Sequence, residues 1–359
     1  MTKKTDLRNF TQDELVDYVE SLDQPAFRGR QIMGWLYRPG ITQFSQMTDL
    51  AKAFRATLAE HARISCFENP LIQRSQDGCV KFGFVLDDGN LIESVLIPEP
   101  DRNTLCISCQ VGCAMGCSFC LTATMGFTRN LSPSEIVNQV CAVSEFLRNE
   151  AKEDLIGPDR VTNLVFMGMG EPLNNFENLV KSISILTEQR GLDLTNRRIT
   201  VSTCGIAPKL HLLGEQTDVN LAISLHAVDD KTRSRIMPVN QRYPIEELLQ
   251  ACRDFPMPSR KRIMFEYILL QGINDSDQEA HELARILRGI PCKINLLPYN
   301  ESPEIPFKSP SRNRIYAFQK ILHDAGYSVF IRSSRGSDIS AACGQLAKDK
   351  KERGKICQS

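Results

Sequence analysis

The sequence predicts an α/β protein whose main part is a complete or partial barrel of parallel strands covered by helices. Two observations lead to this fold class. Beyond Pro98, six or seven short apolar runs alternate with segments of helical periodicity, as expected for strand–helix units. Polar or glycine-rich segments follow several of these runs, at the positions where barrels of this class carry their active sites. Smaller helical and alternating patterns precede this region.

Size, charge and cysteine content narrow the class of protein. The chain has 359 residues, 42% hydrophobic and 24% charged, which is enough for a large core. Its formal net charge is zero, so any site for a polyanion must be a local patch. We expect a cytoplasmic protein, because neither a signal peptide nor a spanning-length apolar run is present. Thiols stay reduced in the cytoplasm, so the 13 cysteines, several of them clustered, favour metal binding or catalysis over disulfides.

The first 100 residues predict two smaller units. In residues 1–62, apolar side chains recur at helical spacing in DELVDYVESL, in RQIMGWLY and from Met47 to Leu58, which predicts a helical accessory domain. Residues 63–100 then change to alternation of polar and apolar side chains. There, VKFGFVL and NLIESVLI flank the turn sequence DDG, so we predict a β-hairpin connector.

Residues 101–345 carry the predicted barrel, and residues 346–359 form a basic tail. The candidate strands of the barrel are TLCIS, NLVFMG, RITVST, NLAISL, RIMFEYIL, KINLLP and YSVFIR. The polar segments MGMGEP, STCG, SLHA and PYN follow four of them, which places the expected active site at the carboxyl edge of the sheet. The sequence SPSE from Ser132 to Glu135 predicts a helix start, with an N-cap, a proline in the first turn and a capping glutamate.

The segment CISCQVGCAMGCSFC, residues 106–120, predicts a metal centre. Cys113, Cys117 and Cys120 have the spacing Cys-x3-Cys-x2-Cys, and three thiolates leave one iron of a 4Fe–4S cubane open to a substrate group. Gly112 and Gly116 allow the backbone to wrap closely around such a cluster. We therefore predict an iron–sulfur site with an open position.

A structural zinc site is the alternative for this segment. Two Cys-x2-Cys pairs, Cys106 with Cys109 and Cys117 with Cys120, would supply four ligands. This arrangement leaves Cys113 unused. It also places only seven residues between the pairs, fewer than ribbon-type zinc sites usually have. The spacing therefore favours the iron–sulfur interpretation.

Longer motifs resemble a known family. The cysteine spacing after the first strand resembles the radical S-adenosylmethionine (SAM) superfamily. The wider motifs resemble the dual-specificity 23S rRNA and tRNA adenine carbon-2 methyltransferases, and they cover nearly the whole chain. These motifs are CQVGCAMGCSFC, FMGMGEPLNN, VSTCGI, ISLHA, MPVNQRYP, LLPYN and IRSSRGSDISAACGQL. The resemblance implies a partial (β/α)6 radical-SAM barrel with an accessory RNA-binding domain, a 4Fe–4S cluster and SAM as cofactors.

The resemblance also implies a cysteine carrier. Cys343 matches the cysteine that is first methylated by one SAM molecule; a radical from a second SAM then activates this methyl group, which joins the adenine in a covalent protein–RNA intermediate. Cys106 matches the cysteine that assists release and leaves a disulfide with Cys343, and Glu93 matches the proton acceptor. Without the resemblance, both cysteines would be interpreted as core residues and Glu93 as part of a solvated strand face.

The strand-end motifs match the SAM-binding residues of the family. In MGEP, the carboxylate after the glycine is expected to accept from the methionine amino group of SAM. The other matching positions offer short hydrogen-bonding side chains or nearby backbone. The expected set is Gly170, Glu171, Ser202, Ser224, Leu225, His226 and Asn300.

The expected partners are 23S rRNA, tRNA and an electron donor such as a flavodoxin-type reductant; we expect a monomer with no membrane association. Candidate phosphate contacts are Arg28, Arg30 and Arg38 near Trp35, then Lys231, Arg233, Arg235 and Arg242, then Arg260, Lys261 and Arg262. Two other functions stay open. One is methylation of carbon 8 of the ribosomal adenosine. The family with that activity has alanine after the motif glutamate, whereas this chain has Pro172, which favours carbon 2. The other, more remote, is a zinc-containing RNA-binding protein without enzymatic activity.

Overall fold

The computed structural model describes residues 4–150 and 157–346. The first part of the chain forms a small helical unit with its own apolar core, which includes Leu15, Ile32 and Phe54. Its elements are β1 (Thr5–Asp6), α1 (Gln12–Glu20), α2 (Phe27–Leu36), α3 (Lys52–His61) and β2 (Ala62–Arg63). The two short strands pair in parallel, so the beginning and the end of this unit lie side by side.

The first two predicted helices are confirmed, and the third is shorter than predicted. Helix α1 begins at a capping box between Thr11 and Glu14. The pattern from Met47 to Leu58 predicted a longer helix, but α3 begins only at Lys52. Met47 lies in the loop before α3, and its apolar side chain is buried there. Its spacing matches the helical pattern of α3 although it is not part of that helix.

The predicted hairpin is present and continues the main sheet. Strands β3 (Leu71–Arg74), β4 (Val80–Val85) and β5 (Leu91–Glu99) pair in antiparallel order. The DDG turn closes the β4–β5 hairpin, where the Asn90 carbonyl accepts from the Leu86 N–H at 2.8 Å and Gly89 has a φ of +77°. Because β5 also pairs with the next strand, the hairpin is an extension of the barrel and not a separate sheet.

Seven parallel strands of the described chain continue the main sheet beyond β5. They are β6 (Arg102–Cys106), β9 (Asn163–Phe166), β10 (Ile199–Thr203), β11 (Asn220–Ser224), β12 (Ile263–Leu269), β13 (Cys292–Pro298) and β14 (Val329–Ile331). Between the first two lies a two-stranded ribbon of β7 (Gln110–Gly112) and β8 (Phe127–Asn130). The sheet order is β14-β13-β12-β11-β10-β9-β6-β5-β4-β3, which is open at both edges. The predicted partial α/β barrel is therefore confirmed.

Helices connect each parallel strand to the next. They are α4 (Leu121–Thr124), α5 (Pro133–Glu150), α6 (Phe176–Thr187), α7 (Ala207–Gln216), α8 (Asp230–Ile236), α9 (Ile245–Arg253), α10 (Asp277–Ile286) and α11 (Arg312–Asp324). Helix α5 begins at the predicted capping box: Glu135 Oε2 accepts from the Ser132 N–H at 2.9 Å. None of the described helices combines the length and apolarity of a membrane-crossing segment.

Candidate active site

A cavity of about 200 Å³ opens at the carboxyl edge of the parallel strands. Strands β5, β6, β9, β10, β11, β12 and β13 all contribute to its wall, together with the cysteine-rich loop and the segment after β14. Because parallel strands end at the same edge, polar segments far apart in sequence meet here. The predicted position of the site is the one that the cavity occupies.

The cysteine-rich loop places the thiols of Cys113, Cys117 and Cys120 on the cavity wall. The β7–β8 ribbon shapes this loop, and the Cys113 N–H donates to the Gly126 carbonyl at 2.8 Å. A Cβ atom at Gly112, whose φ is +75°, would lie 1.9 Å from that same carbonyl oxygen. Only glycine can therefore occupy this position next to the first cysteine.

The three thiols fit a polynuclear iron cluster. Burial, together with neighbouring thiols and Glu171, raises the pKa of Cys113 to about 12 and also raises that of Cys117. Bound iron cations would offset this accumulation of negative charge. Among the described residues, no three His, Cys, Asp or Glu side chains converge as they would on a single ion. A cubane does not require such convergence, because its thiolates bind different irons.

Cys109 lies apart from these thiols. It is buried, its Sγ donates to the Met169 carbonyl at 3.6 Å, and it does not line the cavity. The four-cysteine zinc site would need Cys109 and Cys106 to bind the same ion. Cys106 lines the cavity and Cys109 does not. The described geometry therefore argues against that site.

Glu171 lies buried in the loop that follows β9, where its carboxylate accepts hydrogen bonds from nearby residues of the same loop and of the segment after β10. Oε1 accepts from Thr203 Oγ1 at 2.7 Å and from the Leu173 N–H at 2.9 Å, and Oε2 accepts from the Cys204 N–H at 2.8 Å. Burial raises its pKa, although these hydrogen bonds act in the opposite direction. A carboxylate has about four acceptor positions. The Cys204 side chain also hydrogen-bonds to this carboxylate, so an amino group in the cavity would have to share its oxygens with these donors.

His226 is a neutral wall residue. Its Nδ1 accepts from the Ile268 N–H at 3.1 Å, and its ring contacts Phe119 of the cysteine-rich loop edge-on at 5.1 Å between centroids. Burial and the nearby Arg233 lower its pKa to about 3. With Nδ1 accepting, the proton of the neutral ring lies on Nε2.

The remaining predicted SAM contacts are placed unevenly. Gly170, Ser202 and Ser224 line the cavity together with Glu171 and His226. Leu225 is buried and does not line it. Asn300 lies outside the wall, and its Nδ2 donates to the Cys343 carbonyl at 3.3 Å. The structure therefore brings five of the predicted contacts to one cavity and places Asn300 against the loop that carries Cys343.

Cys106 and Cys343 face the same cavity although 237 positions separate them from one another in the chain (343 − 106). Cys106 ends β6, and Cys343 lies in the loop that follows β14. The Leu121 N–H, directly after the last cluster cysteine, donates to the Gly344 carbonyl at 2.8 Å. The carrier candidate is thereby tied to the cysteine-rich loop.

Glu93 does not line the cavity, and it is not on a solvated face. It is buried on β5, and its Oε1 lies 3.3 Å from Lys81 Nζ, which is also buried. Val95 and Ile97, on the same face of β5, do line the cavity. Glu93 therefore lies just beyond the cavity wall, with its negative charge balanced by the lysine.

The predicted basic residues include one that cannot contact RNA. Arg233 is fully buried, and its guanidinium donates to the carbonyls of Leu225, Cys204 and Ser224 at 2.8–3.1 Å. The prediction that it contacts phosphate was wrong. The pattern of charges in the sequence does not reveal that the carbonyl groups at these strand ends accept hydrogen bonds from a buried arginine. By contrast, the Arg38 guanidinium lies 3.9 Å over the ring of Trp35 in the helical unit.

Two charged residues of the cavity were not predicted. Glu266 on β12 is buried, and its Oε1 accepts from Asn295 Nδ2 at 3.0 Å. Arg332 follows β14 and also lines the cavity. The signal for Glu266 was a carboxylate within the otherwise apolar run IMFEYIL, and that for Arg332 was an arginine directly after the last strand.

Comparison with known proteins identifies the family. The dual-specificity RNA methyltransferase RlmN of Desulfotalea psychrophila is 70% identical over 347 residues, which cover 97% of this chain and 96% of that protein. The chain belongs to the RlmN family. The RlmN protein of Geobacter sulfurreducens is 50% identical, over 96% of this chain and 93% of that protein. Residues 5–64 match the ribosomal RNA large subunit methyltransferase N-terminal domain, and residues 107–284 match the radical SAM superfamily.

A solved structure agrees with the RlmN assignment. The crystal structure of a radical SAM methyltransferase from Sphaerobacter thermophilus matches with a TM-score of 0.88 and 46% identity, covering 95% of this chain and 99% of that one. The resemblance stated from the motifs is confirmed. As an RlmN family member the chain is a radical SAM methyltransferase that uses a 4Fe–4S cluster and SAM, which removes the non-enzymatic zinc alternative.

Proposed function

We propose that this enzyme adds a methyl group to carbon 2 of adenosine, in the peptidyl transferase centre of 23S rRNA and 3′ of the anticodon in tRNA. The observation that carries the proposal is the shared cavity of Cys343, Cys106 and the three cysteines of the Cys-x3-Cys-x2-Cys motif. Its relatives are named dual-specificity RNA methyltransferases, which supports RNA as the substrate.

The chemistry of adenine explains why a radical enzyme suits this position. Carbon 2 lies between two ring nitrogens, so it is electron-poor and cannot attack the methyl group of SAM in a polar displacement. When bound, the cluster and SAM supply the electron and the radical that such a carbon requires. In our proposal Cys113, Cys117 and Cys120 hold the cluster, and the buried carboxylate of Glu171 at the cavity wall binds the amino group of SAM.

The two cavity cysteines divide the remaining steps. Cys343 Sγ accepts a methyl group and presents its carbon to adenine, which becomes attached to the protein. Cys106 then attacks the Cys343 sulfur and releases the methylated base. Glu93 is the proposed acceptor of the carbon-2 proton. Its Oε1 lies 3.3 Å from Lys81 Nζ, and it is two residues before Val95, which lines the cavity.

The substrate must be a base removed from its stack, because the cavity lies within the barrel edge. Single-stranded or remodelled RNA is therefore the expected form of the substrate. The helical unit and its arginines are the proposed RNA-binding surface. A flavodoxin-type electron donor and a monomeric enzyme complete the proposal.

Mass spectrometry of the product RNA tests this function. Reduced, iron-reconstituted enzyme is incubated with SAM and unmodified 23S rRNA fragments or tRNA, and the position of the methyl group on adenosine is mapped. We expect 2-methyladenosine. We expect Cys343→Ala to bind SAM like the parent enzyme and to form no methylated base. Product formation by this variant would refute the carrier role, and methylation at carbon 8 would establish the alternative activity.

A further inference from the structure

Arg332 presents a guanidinium to the cavity without a carboxylate partner among the described residues. Its backbone N–H donates to the Leu296 carbonyl at 2.9 Å, and its Nη1 lies 3.9 Å from Met167 Sδ. Within residues 4–150 and 157–346 it forms no ion pair. Guanidinium groups are costly to bury unless an anion or several acceptors compensate the charge. Arg332 is half-buried at the cavity wall, and no carboxylate of the described residues pairs with its guanidinium.

The ionisable groups that act on Arg332 are the two cavity cysteines, Glu266 and Glu99. Burial acts to lower the pKa of Arg332, but Cys343, Glu266, Cys106 and Glu99 outweigh burial and raise it. Glu266 Oε2 accepts no hydrogen bond from the described residues, so this carboxylate and Arg332 balance each other only through space. Arg332 is thus placed to respond when a further negative charge forms nearby.

Met167 connects Arg332 to Cys106. The Met167 backbone N–H donates to the Cys106 thiol, and its side-chain sulfur contacts the Arg332 guanidinium. Three neighbours therefore act on this thiol electrostatically: the Met167 N–H from the end of β9, Arg332 from the end of β14, and Cys343 from the C-terminal loop. Arg332 is the cation among them.

We propose that Arg332 is a positioning residue that stabilises the Cys106 thiolate during release of the methylated base. The inference rests on the proposed carrier function of Cys343. In the covalent adduct, a methylene group joins the Cys343 sulfur to carbon 2. The Cys106 thiolate donates an electron pair to the Cys343 sulfur and forms a disulfide, and the sulfur–carbon bond breaks. Its electron pair moves to the methylene carbon, which takes a proton from water and becomes the methyl group.

The buried position of Cys106 explains why this step needs a cation. Burial and the nearby Cys343 raise the pKa of its thiol, and Arg332 and the Met167 N–H oppose this rise, which leaves the pKa at about 12. Only the thiolate is nucleophilic, so loss of the positive charge would reduce the small reactive fraction at neutral pH still further. Each thiolate formed beside Arg332 completes a pair for its guanidinium.

The experiment compares Arg332→Met, Arg332→Lys, Cys106→Ala and an exposed control, Arg312→Met on α11. Each variant is incubated with SAM, reductant and tRNA, and RNA bound covalently to protein is measured on denaturing gels over time. Cys106→Ala should retain the adduct. Arg332→Met should release it about tenfold more slowly than the parent or worse, Arg332→Lys should lie between, and Arg312→Met should match the parent.

A pH series separates charge stabilisation from a loss of structure. In Arg332→Met, adduct decay should accelerate about tenfold for each unit of added pH, because the thiolate fraction rises by that factor below the thiol pKa. The S-methyl group on Cys343, measured by peptide mass spectrometry, should be present in this variant as in the parent.

Three outcomes for Arg332→Met would overturn the inference. The first is release of the adduct at the parental rate, and the second is slow release with no response to pH. The third is the absence of methylated Cys343 while Cys106→Ala traps the adduct, which would place Arg332 in an earlier step. If Cys106→Ala itself forms no adduct, the proposed carrier function fails and the inference fails with it.

Discussion

At the scale of single residues, Arg233 shows how a buried cation organises the edge of the sheet. Its guanidinium binds carbonyls at the ends of β10 and β11 and Asn240 Oδ1 at 2.9 Å. Burial lowers its pKa, although Cys204 and Cys117 act in the opposite direction. The charge is held by several neutral oxygen acceptors, so removal of the side chain would leave these oxygens without a donor.

We expect Arg233→Met to lower the free energy of unfolding by about 3 kcal/mol, because buried carbonyls lose their hydrogen bonds. Urea unfolding of the purified protein measures the change. Arg235→Met, two positions along the same helix but exposed, is the matched control and should change stability by less than about 0.5 kcal/mol. Equal effects of the two substitutions would contradict the structural role of Arg233.

At the scale of elements, the β3–β4 turn holds the loop that carries Cys343. Asp77 Oδ2 accepts from the Gly336 N–H at 2.8 Å, and Asp338 accepts from Ser75 Oγ at 2.6 Å and from the Gln76 N–H at 3.0 Å. A carboxylate on each side therefore accepts hydrogen bonds from the other side, which joins the β3–β4 turn to the C-terminal loop. We call this set of contacts the hairpin clamp.

The hairpin clamp should be stable at neutral pH. Burial acts to raise the pKa of Asp77, but hydrogen bonds from the N–H groups of Cys79 and Gly336 outweigh it and lower the pKa to about 2. A carboxyl whose pKa is lower in the folded state stabilises it above the unfolded value, about pH 3.9, and this contribution is lost as the pH falls towards 2. Between about pH 5 and 8 its contribution should be constant.

Weakening the hairpin clamp should loosen the Cys343 loop without unfolding the barrel. We expect Asp77→Asn to accelerate amide hydrogen exchange in residues 333–346 about tenfold, since about 1–2 kcal/mol of charge-assisted hydrogen bonding is removed. Mass spectrometry of peptides measures this exchange. The control is Asp324→Asn, an exposed carboxylate paired with Lys320 at 2.6 Å. Unchanged exchange in the loop of Asp77→Asn would show that the hairpin clamp does not hold it.

At the scale of the whole molecule, the helical unit is joined to the barrel by polar contacts. The buried Arg8 donates to Asn138 Oδ1 at 2.8 Å on α5, and Glu14 pairs with Lys181 on α6 at 2.6 Å. Next to this seam lies an open concave surface lined by Arg30 and Arg38 from the helical unit and by residues from the barrel, including Arg190. The neutral chain thus concentrates positive charge locally.

This concave surface should bind RNA phosphates if the proposed function is right. We expect Arg38→Ala combined with Arg190→Ala to weaken tRNA binding and to reduce the salt dependence of the binding constant by about one unit of slope for each phosphate that is no longer neutralised. SAM binding should not change. Filter binding at several salt concentrations measures the slope, and Arg312→Ala serves as an exposed control. An unaltered slope would exclude this surface from the RNA interface.

Some parts of this molecule follow from local sequence and others do not. The seven parallel strands, the β4–β5 hairpin with its DDG turn, the N-terminal helices and the start of α5 were predicted, because periodicity and capping patterns act over short distances. The ribbon of β7 and β8 was not predicted. Arg233 was misassigned, since nothing near it in the sequence indicates burial. Alternation alone would place Glu93 on a solvated face, yet a lysine from the neighbouring strand pairs with it inside the sheet.

The sequence by itself determined the fold class, the family and the cysteines that face the cavity, because these depend on residue order and on motifs read along the chain. Only the tertiary structure decided which distant groups share that cavity. Arg332 and Cys106 line one cavity because β14 and β6 end at the same edge of an open sheet, and the Gly336 N–H donates to Asp77 across 259 positions. Such neighbours are set by strand order and burial, which depend on how all elements pack together.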